Sequence, residues 1–268
     1  MNKLPVKRLA VLGHPVSHSR SPAMHSAALA DLGLGQQWSY EAIDCEPERL
    51  PALIAGMAAQ GFVGANVTVP HKQAALLAAD STSAAALQIG AANTLTFGPE
   101  GIYAENTDAP GLLEAIARPV AGKRALLLGA GGAARAVLWA LAGAGADVSV
   151  WNRTQSKALE LVAALGGSVE NEPDPSRFEV IVNASAAGLG GDGGIESLPL
   201  DPGGFGDGQV VVDMVYGEQP SSLLAAAASA GASTVDGIEV LVRQGALSFQ
   251  SWTGLEPSCD IMRMAARS

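Results

Sequence analysis

The chain is poor in cysteine, in aromatic residues and in charge. Cys45 and Cys259 are the only two cysteines among 268 residues, so no disulfide framework is expected. They form no CxxC pair or Cys/His cluster, so no metal is expected either. Such sparing use of cysteine fits a reducing cytoplasm, the location expected here. Aromatic residues make up 4% and charged residues 16% of the chain, with 16 basic against 26 acidic side chains and a net charge of −10. No Lys/Arg run forms a stripe able to track phosphates, which argues against nucleic acid as a partner. No apolar run reaches bilayer length, and Met1 to Arg8 lead into Leu9-Ala10-Val11-Leu12-Gly13 without a signal-peptide core. A membrane partner is therefore not expected.

Small apolar residues dominate instead. Hydrophobic residues account for 48% of the chain, and there are 32 glycines, a composition suited to a compact α/β protein of one large or two modest domains. The front section reads as strands at Arg8–Leu12, Trp38–Ile43 and Phe62–Val69, with helices at Pro22–Leu32, Pro47–Ala59 and Gln73–Ala79. A hairpin over Ala92–Phe97 and Gly101–Glu105 follows, then a helix near Pro110–Ala117. From Lys123 the pattern is βαβ: strands at Ala125–Leu128, Asp147–Trp151, Val180–Asn183, Gln209–Met214 and Thr234–Val235, with helices at Ala133–Leu141, Gln155–Leu165 and Ser221–Ala230. A glycine-rich loop spans Gly188–Gly194, and Ile238–Trp252 closes the pattern as an amphipathic helix. Alternating β and α elements imply a parallel sheet covered on both faces.

The glycine turn Gly129-Ala130-Gly131-Gly132-Ala133-Ala134 sits between an apolar strand and a helix. That is the context of a dinucleotide phosphate site. The first glycine permits the turn, the second lets backbone approach a pyrophosphate, and a small third position lets helix and strand pack. The helix N-terminus adds unpaired N–H groups and the positive end of its dipole. NAD sites of this kind carry an acidic residue at the end of the second strand. Here Val148-Ser149-Val150-Trp151 runs into Asn152-Arg153-Thr154 with Lys157 one turn later. Arg153 is suited to a 2′-phosphate, so NADP is the expected cofactor. A charge-assisted hydrogen bond is worth roughly 1.5–3 kcal/mol, which shifts preference by about one to two decades. The bland alternative is that Arg153 and Lys157 only begin a solvated helix, although cations there oppose its dipole.

The proton chemistry of a nicotinamide enzyme has to come from elsewhere. In Asn66-Val67-Thr68-Val69-Pro70-His71-Lys72, strand alternation puts Asn66 and Thr68 on one face and the valines on the other. Pro70 ends the strand and leaves Lys72 at a strand-to-helix corner. Lys72 reads equally as a solvent lysine. Asn106-Thr107-Asp108 reads as a turn or helix cap as readily as a site. Ser19 and Ser21, before Pro22, can bind a carboxylate, and Ser21 is also a good N-cap. His14, His18, His25 and His71 show neither metal spacing nor a nucleophile beside them.

Together these segments resemble the shikimate dehydrogenases almost end to end. The resemblance rests on Gly13-x-Pro15 with Ser19-Arg20-Ser21-Pro22-x-x-His25, Asn66 through Lys72, Gly90-Ala91-Ala92-Asn93-Thr94 and Asn106-Thr107-Asp108. The glycine turn, Asn152-Arg153-Thr154, Asp213-Met214-Val215-Tyr216, and Gly237 with Gln244 complete it. It implies reversible, NADPH-dependent reduction of 3-dehydroshikimate to shikimate, a step of aromatic amino-acid synthesis. It implies an α/β substrate domain, residues 1–110 with 240–268, to which a C-terminal helix returns. A Rossmann-like NADP domain would cover 111–239. Lys72 and Asp108 would be the catalytic pair. Ser19 and Ser21 would hold the substrate carboxylate, and Asn66, Thr68, Asn93, Tyr216 and Gln244 the ring substituents. Gly129, Ala130, Gly131, Gly132, Ala133, Asn152, Arg153, Thr154 and Lys157 would hold the cofactor, with Met214 and Gly237 against its nicotinamide end.

Four positions depart from the common pattern: Ser26 for asparagine, Ser185 for threonine, and Leu189 and Val240 for methionines, with Val240 expected to affect packing near the nicotinamide. The alternatives are a catabolic quinate/shikimate dehydrogenase and a non-catalytic ligand-sensing relative. The partner is expected to be a small molecule and the protein a monomer or homodimer, with hinges near 108–112 and 235–240.

Overall fold

In the computed structural model, which describes residues 5–188, 194–217 and 219–268, the chain divides into two compact units. One comprises the residues through Thr107 together with Val242–Ser268, and the other Asp108–Leu241.

The first unit is built on strands β1 (Lys7–Gly13), β2 (Trp38–Asp44), β3 (Phe62–Val67), β4 (Ser81–Thr82), β5 (Thr94–Gly98) and β6 (Gly101–Glu105). They order as β2-β1-β3-β5-β6-β4. β1 runs parallel to β2 and β3, whereas β3–β5 and the β5–β6 hairpin are antiparallel. This sheet is thus mixed. Helices α1 (Ser21–Asp31), α2 (Leu50–Met57), α3 (Lys72–Leu77) and α4 (Ala84–Ile89) fill the connections. Leu12, Leu50, Ile54, Met57, Ala65 and Leu95 form the core on one face.

Two local expectations change here. β3 stops at Val67, two residues short, because the His71 N–H closes a turn on the Thr68 carbonyl (2.8 Å). Val67 is buried while Val69 is 61% exposed, so the alternation ends with the strand. Ser21 is not the cap of α1 but its first residue. Arg20 occupies the cap position and makes no side-chain capping bond. Helix α4 has no counterpart in the sequence reading, although Ser83 caps it through the Ala86 N–H (3.0 Å) and Gly90 ends it in the left-handed region.

The second unit begins with α5 (Asp108–Ile116) and continues β7 (Arg124–Leu128), α6 (Gly132–Gly143), β8 (Asp147–Trp151), α7 (Gln155–Leu165), β9 (Ser168–Val169), β10 (Val180–Asn183), β11 (Val210–Asp213), α8 (Ser222–Ser229) and β12 (Ser233–Val235). Its sheet is wholly parallel in the order β12-β11-β10-β7-β8-β9. Both faces are covered, which is why its strands read as unbroken apolar runs. Ala125 and Leu127 point into one core with Val180, Val182, Val210 and Val212, while Leu126 and Leu128 point into the other with Ile181 and Val211. From β7 the chain proceeds to β8 on one side and later returns to β10 on the other, so the order reverses between β7 and β10. Open α/β sheets bind ligands at the carboxyl ends of the strands at such a point.

Helix α9 (Gly237–Thr253) starts in the second unit and ends in the first, where α10 (Cys259–Arg267) packs along α1. Ser258 caps α10 through the Ile261 N–H. No helix among the described residues is long and apolar enough to cross a membrane.

Candidate active site

In the first unit the carboxyl end of β3, the start of β5, the residue after Asn106 and one face of α9 converge on a buried polar network. Tyr40 donates its hydroxyl to Asn66 Oδ1 (2.8 Å), the amide's orientation being set by the acceptor-only Asn93 carbonyl that faces its other end. Asn66 Nδ2 then donates to the Asn93 carbonyl (3.2 Å) and to Ser248 Oγ (2.9 Å). Asn93 accepts the Thr107 N–H at 2.7 Å and donates to Thr107 Oγ1 (2.9 Å) and Gln244 Oε1 (3.0 Å). The hydroxyls of Thr94, Thr107 and Ser248 share bonds of 2.8–3.2 Å with one another. Buried amides and hydroxyls are costly unless paired, so this mutual satisfaction holds each amide in one orientation. Of the expected substrate residues, Asn66, Asn93 and Gln244 are brought together. Tyr40, Thr94, Thr107 and Ser248 join them as positioning residues that the sequence reading did not select. Thr94 and Thr107 did stand in recognised segments.

The remaining groups of this unit lie on loops and helix starts. Ser19 accepts the Ser21 N–H through Oγ (3.3 Å), which ties the two expected carboxylate ligands together at the start of α1. Thr68 holds its turn by donating its N–H to the Leu12 carbonyl (2.9 Å). Lys72 is the first residue of α3, and its carbonyl accepts the Ala92 N–H (2.8 Å). The preceding His71 is buried, with Nε2 bonded to the Cys45 carbonyl (2.6 Å). The corner carrying Lys72 is therefore fastened on two sides. His14 pairs with Asp44 at 2.6 Å on the surface, and that carboxylate lifts its pKa.

His25 is different. It is fully buried on α1, stacked on Tyr40 at 4.3 Å between ring centroids and flanked by Phe249 and Trp252. Among the described residues, neither ring nitrogen finds a hydrogen-bond partner. Burial lowers its pKa from 6.5 to about 3, with the nearby Asn66 amide opposing the shift. The folded value lies below the unfolded one. The neutral ring's contribution is therefore complete above about pH 6.5 and is lost as the pH falls toward 3, at up to about 1.4 kcal/mol per pH unit. His25→Phe keeps the stack and removes the titration. Its urea-unfolding stability should fall less than that of the parent between pH 7 and pH 4. Parallel curves for the two proteins would contradict this assignment.

The second unit places its groups at the carboxyl ends of the parallel strands. Gly129 follows β7 with φ +117°, and a Cβ there would stand 2.8 Å from the Ala184 carbonyl oxygen, beyond β10. Only glycine fits that approach. Ala130 and Gly131 lead into α6, whose first residues are Gly132 and Ala133, and the small Ala134 is buried against the sheet. A Cβ on Gly131 would meet nothing within 4 Å, and no side chain caps the helix there. The open backbone at this helix start fits a pyrophosphate. At the end of β8, Asn152 folds back onto the Thr154 carbonyl (2.9 Å), while Arg153, Thr154 and Lys157 are exposed around the start of α7. No carboxylate interrupts residues 152–157.

Asp213 ends β11 fully buried and organises the next turn. It accepts from Asn183 Nδ2 (2.9 Å), Val215 N (3.1 Å) and Ser221 Oγ (2.6 Å). Burial raises its pKa, and these bonds offset only part of the rise. The half-buried Met214 and Tyr216 flank this turn. Gly237 opens α9 where a Cβ would lie 2.7 Å from the Met214 carbonyl oxygen. Asp108, buried, is the first residue of α5. Of the departures, Ser185 keeps the hydroxyl's role by donating to Asn183 Oδ1 (2.6 Å). Ser26 is exposed, Val240 lies in the apolar core with Leu127 and Val182, and Leu189 falls outside the described residues. Among the described residues no group of three or more His, Cys, Asp or Glu could hold a metal ion.

Known proteins match this chain over most of its length. Residues 11–95 match the model of the shikimate dehydrogenase substrate binding domain, 112–184 that of shikimate / quinate 5-dehydrogenase, and 237–267 that of the shikimate 5′-dehydrogenase C-terminal domain. A shikimate dehydrogenase (NADP(+)) of Anaeromyxobacter is 46% identical over 91% of this chain and 90% of its own. One from Moorella thermoacetica is 40% identical over 97% and 92%. The crystal structure of shikimate 5-dehydrogenase from Thermus thermophilus in complex with NADP(H) and shikimate superposes with a TM-score of 0.89. It is 42% identical, over 98% of this chain and 99% of that one.

Proposed function

Because the chain belongs to the shikimate dehydrogenase family, we propose that Lys72 and Asp108 are the acid–base pair of its reaction, the NADP-dependent interconversion of shikimate and 3-dehydroshikimate. The protein is an NADP-dependent oxidoreductase. NADP(H), when bound, supplies or accepts the hydride. Lys72 Nζ gives a proton to the substrate oxygen as the carbonyl is reduced, and removes it from the hydroxyl in the reverse direction. Asp108 orients that ammonium. General acid–base help of this kind contributes about 10²–10⁴ in rate.

The hydroxyls of Ser19 and Ser21, at the positive end of the α1 dipole, hold the substrate carboxylate. Ser21 is available because it does not cap the helix. Asn66, Thr68, Asn93, Tyr216 and Gln244 face the ring hydroxyls. Gly129, Ala130, Gly131, Gly132 and Ala133 offer backbone to the pyrophosphate, Asn152, Arg153, Thr154 and Lys157 grip the 2′-phosphate, and Met214 and Gly237 border the nicotinamide. We place the enzyme in the cytoplasm, where its two cysteines, not joined in a disulfide, stay reduced, as a monomer or homodimer.

One observation carries the substrate reading. Asn66 and Ser248, 182 positions apart, meet in a single buried network with Asn93, Thr107 and Gln244. Shikimate and quinate, each assayed with NADP and with NAD, test it. Turnover is expected to be efficient with shikimate and NADP alone. Comparable activity on quinate would reassign the substrate, and no activity with any pair would make the protein a ligand-sensing relative. Arg153→Ala should raise the NADP KM about 10- to 100-fold and leave the NAD KM near its starting value. Equal losses with both cofactors would remove Arg153 from the 2′-phosphate site.

A further inference from the structure

A cavity of about 240 Å³ opens beyond β8 and β9, with Asn152, Arg153, Gln155, Glu170 and Asn171 in its wall. Glu170 is the sole acidic side chain lining it. If Arg153 grips the 2′-phosphate, as proposed above, a carboxylate in the same wall would repel that doubly charged group. Glu170 is not left to do so. Its Oε1 accepts the N–H groups of Asn171 (3.0 Å) and Glu172 (3.3 Å), and its Oε2 pairs with Arg177 Nη2 at 3.1 Å. The Glu170 side chain is only 14% exposed.

Arg177, its side chain half exposed, stands on a fixed stretch of backbone. It ends the short 3-10 turn Pro175–Arg177, which Asp174 caps by accepting the N–H and hydroxyl of Ser176 (2.9 and 2.7 Å). Its guanidinium also lies over the Phe178 ring at 5.6 Å. On the other side, Gln155 donates to Asn171 Oδ1 (2.7 Å) and ties the Glu170 loop to the start of α7.

We propose that Arg177 is a specificity-determining positioning residue for the cofactor: by neutralising Glu170 and holding it back, it makes the cavity wall compatible with a 2′-phosphate. NAD carries a hydroxyl at that place and is indifferent to the pair. The inference rests on the 2′-phosphate reading of Arg153.

The experiment compares kcat/KM with NADP and with NAD, using shikimate and the full-length enzyme. Arg177→Gln should raise the NADP KM about three- to tenfold, and less at high salt, while the NAD KM stays within about twofold. Arg177→Lys should keep the parent ratio. Adding Glu170→Gln to Arg177→Gln should bring the NADP KM back, because the charge to be neutralised is gone. Equal changes with both cofactors would assign Arg177 a merely structural role and overturn the proposal. An unchanged ratio would overturn it too. Arg153→Ala run alongside separates the two readings. If it shifts the ratio and Arg177→Gln does not, only the Arg177 proposal falls; if Arg153→Ala leaves the ratio unchanged, the 2′-phosphate reading falls first.

Discussion

Replacement of Lys72 by alanine should lower kcat for shikimate oxidation by about 10²–10⁴, with the shikimate KM within a few-fold of the parent. The fold should tolerate the change. Lys72 is the first residue of α3, where alanine is a good helix former, and the bond that fastens this corner uses its carbonyl rather than its side chain. An unchanged melting temperature would then show that the loss is chemical. The split between kcat and KM is the informative part, because an interaction made only in the transition state lowers kcat and kcat/KM together. Near-normal turnover would remove Lys72 from the acid–base role. A loss appearing wholly in KM would make it a binding group instead.

The second large effect concerns two glycines of one turn that should fail in different ways. Gly129→Ala forces a side chain into φ +117° and against backbone atoms of Ala184 and Ser185, at 2.8–2.9 Å. Strained backbone of this kind costs on the order of 1–3 kcal/mol, and the collision adds to it, so unfolding in urea should show about 3 kcal/mol or more lost. That is a large part of a typical domain's 5–15 kcal/mol. Gly131→Ala meets nothing within 4 Å and should unfold like the parent. Its methyl would, however, stand on the backbone face offered to the pyrophosphate, so its NADP KM should rise at least about tenfold. Equal stability losses at both positions would show that the turn is read wrongly. Unaltered NADP binding in Gly131→Ala would move the phosphates elsewhere.

Much of the scaffold was legible because periodicity and glycine geometry are local signals. The second unit's strands announced themselves as apolar runs, and the structure explains why they do not alternate: Leu126 and Leu127 enter different cores. The elements that escaped are short or isolated. β4 and β9 are two residues each, and α4 is six residues recognisable only from its Ser83 cap and Gly90 stop. α10 carries a Ser258 cap that also went unread.

Site residues could be proposed from sequence where chemistry imposes a residue type at a fixed spacing, as at the glycine turn and Asn152-Arg153-Thr154. It was illegible where a role depends on partners far away in sequence. Nothing about Tyr40 or Ser248 as residues marks them as supports for Asn66; only the meeting of β2, β3 and α9 does. Ser21 shows the same limit from the other side. Its sequence suits a cap, but the cap position falls one residue earlier, on Arg20.

The route of α9 has a consequence for how the protein is made. The second unit is one continuous stretch, Asp108–Leu241, whereas the first is closed by Val242–Ser268. Those final residues bring Gln244 and Ser248 to the polar network, Phe249 to the aromatic stack and α10 to the side of α1. Domains fold as units while the chain emerges at roughly 5–20 residues per second. The cofactor-type sheet can therefore complete itself while the earlier-born sheet still waits for its last helices. The order of birth and the order of completion are reversed. A ribosome that stalls near residue 240 should release a chain whose second unit resists protease while its first is digested.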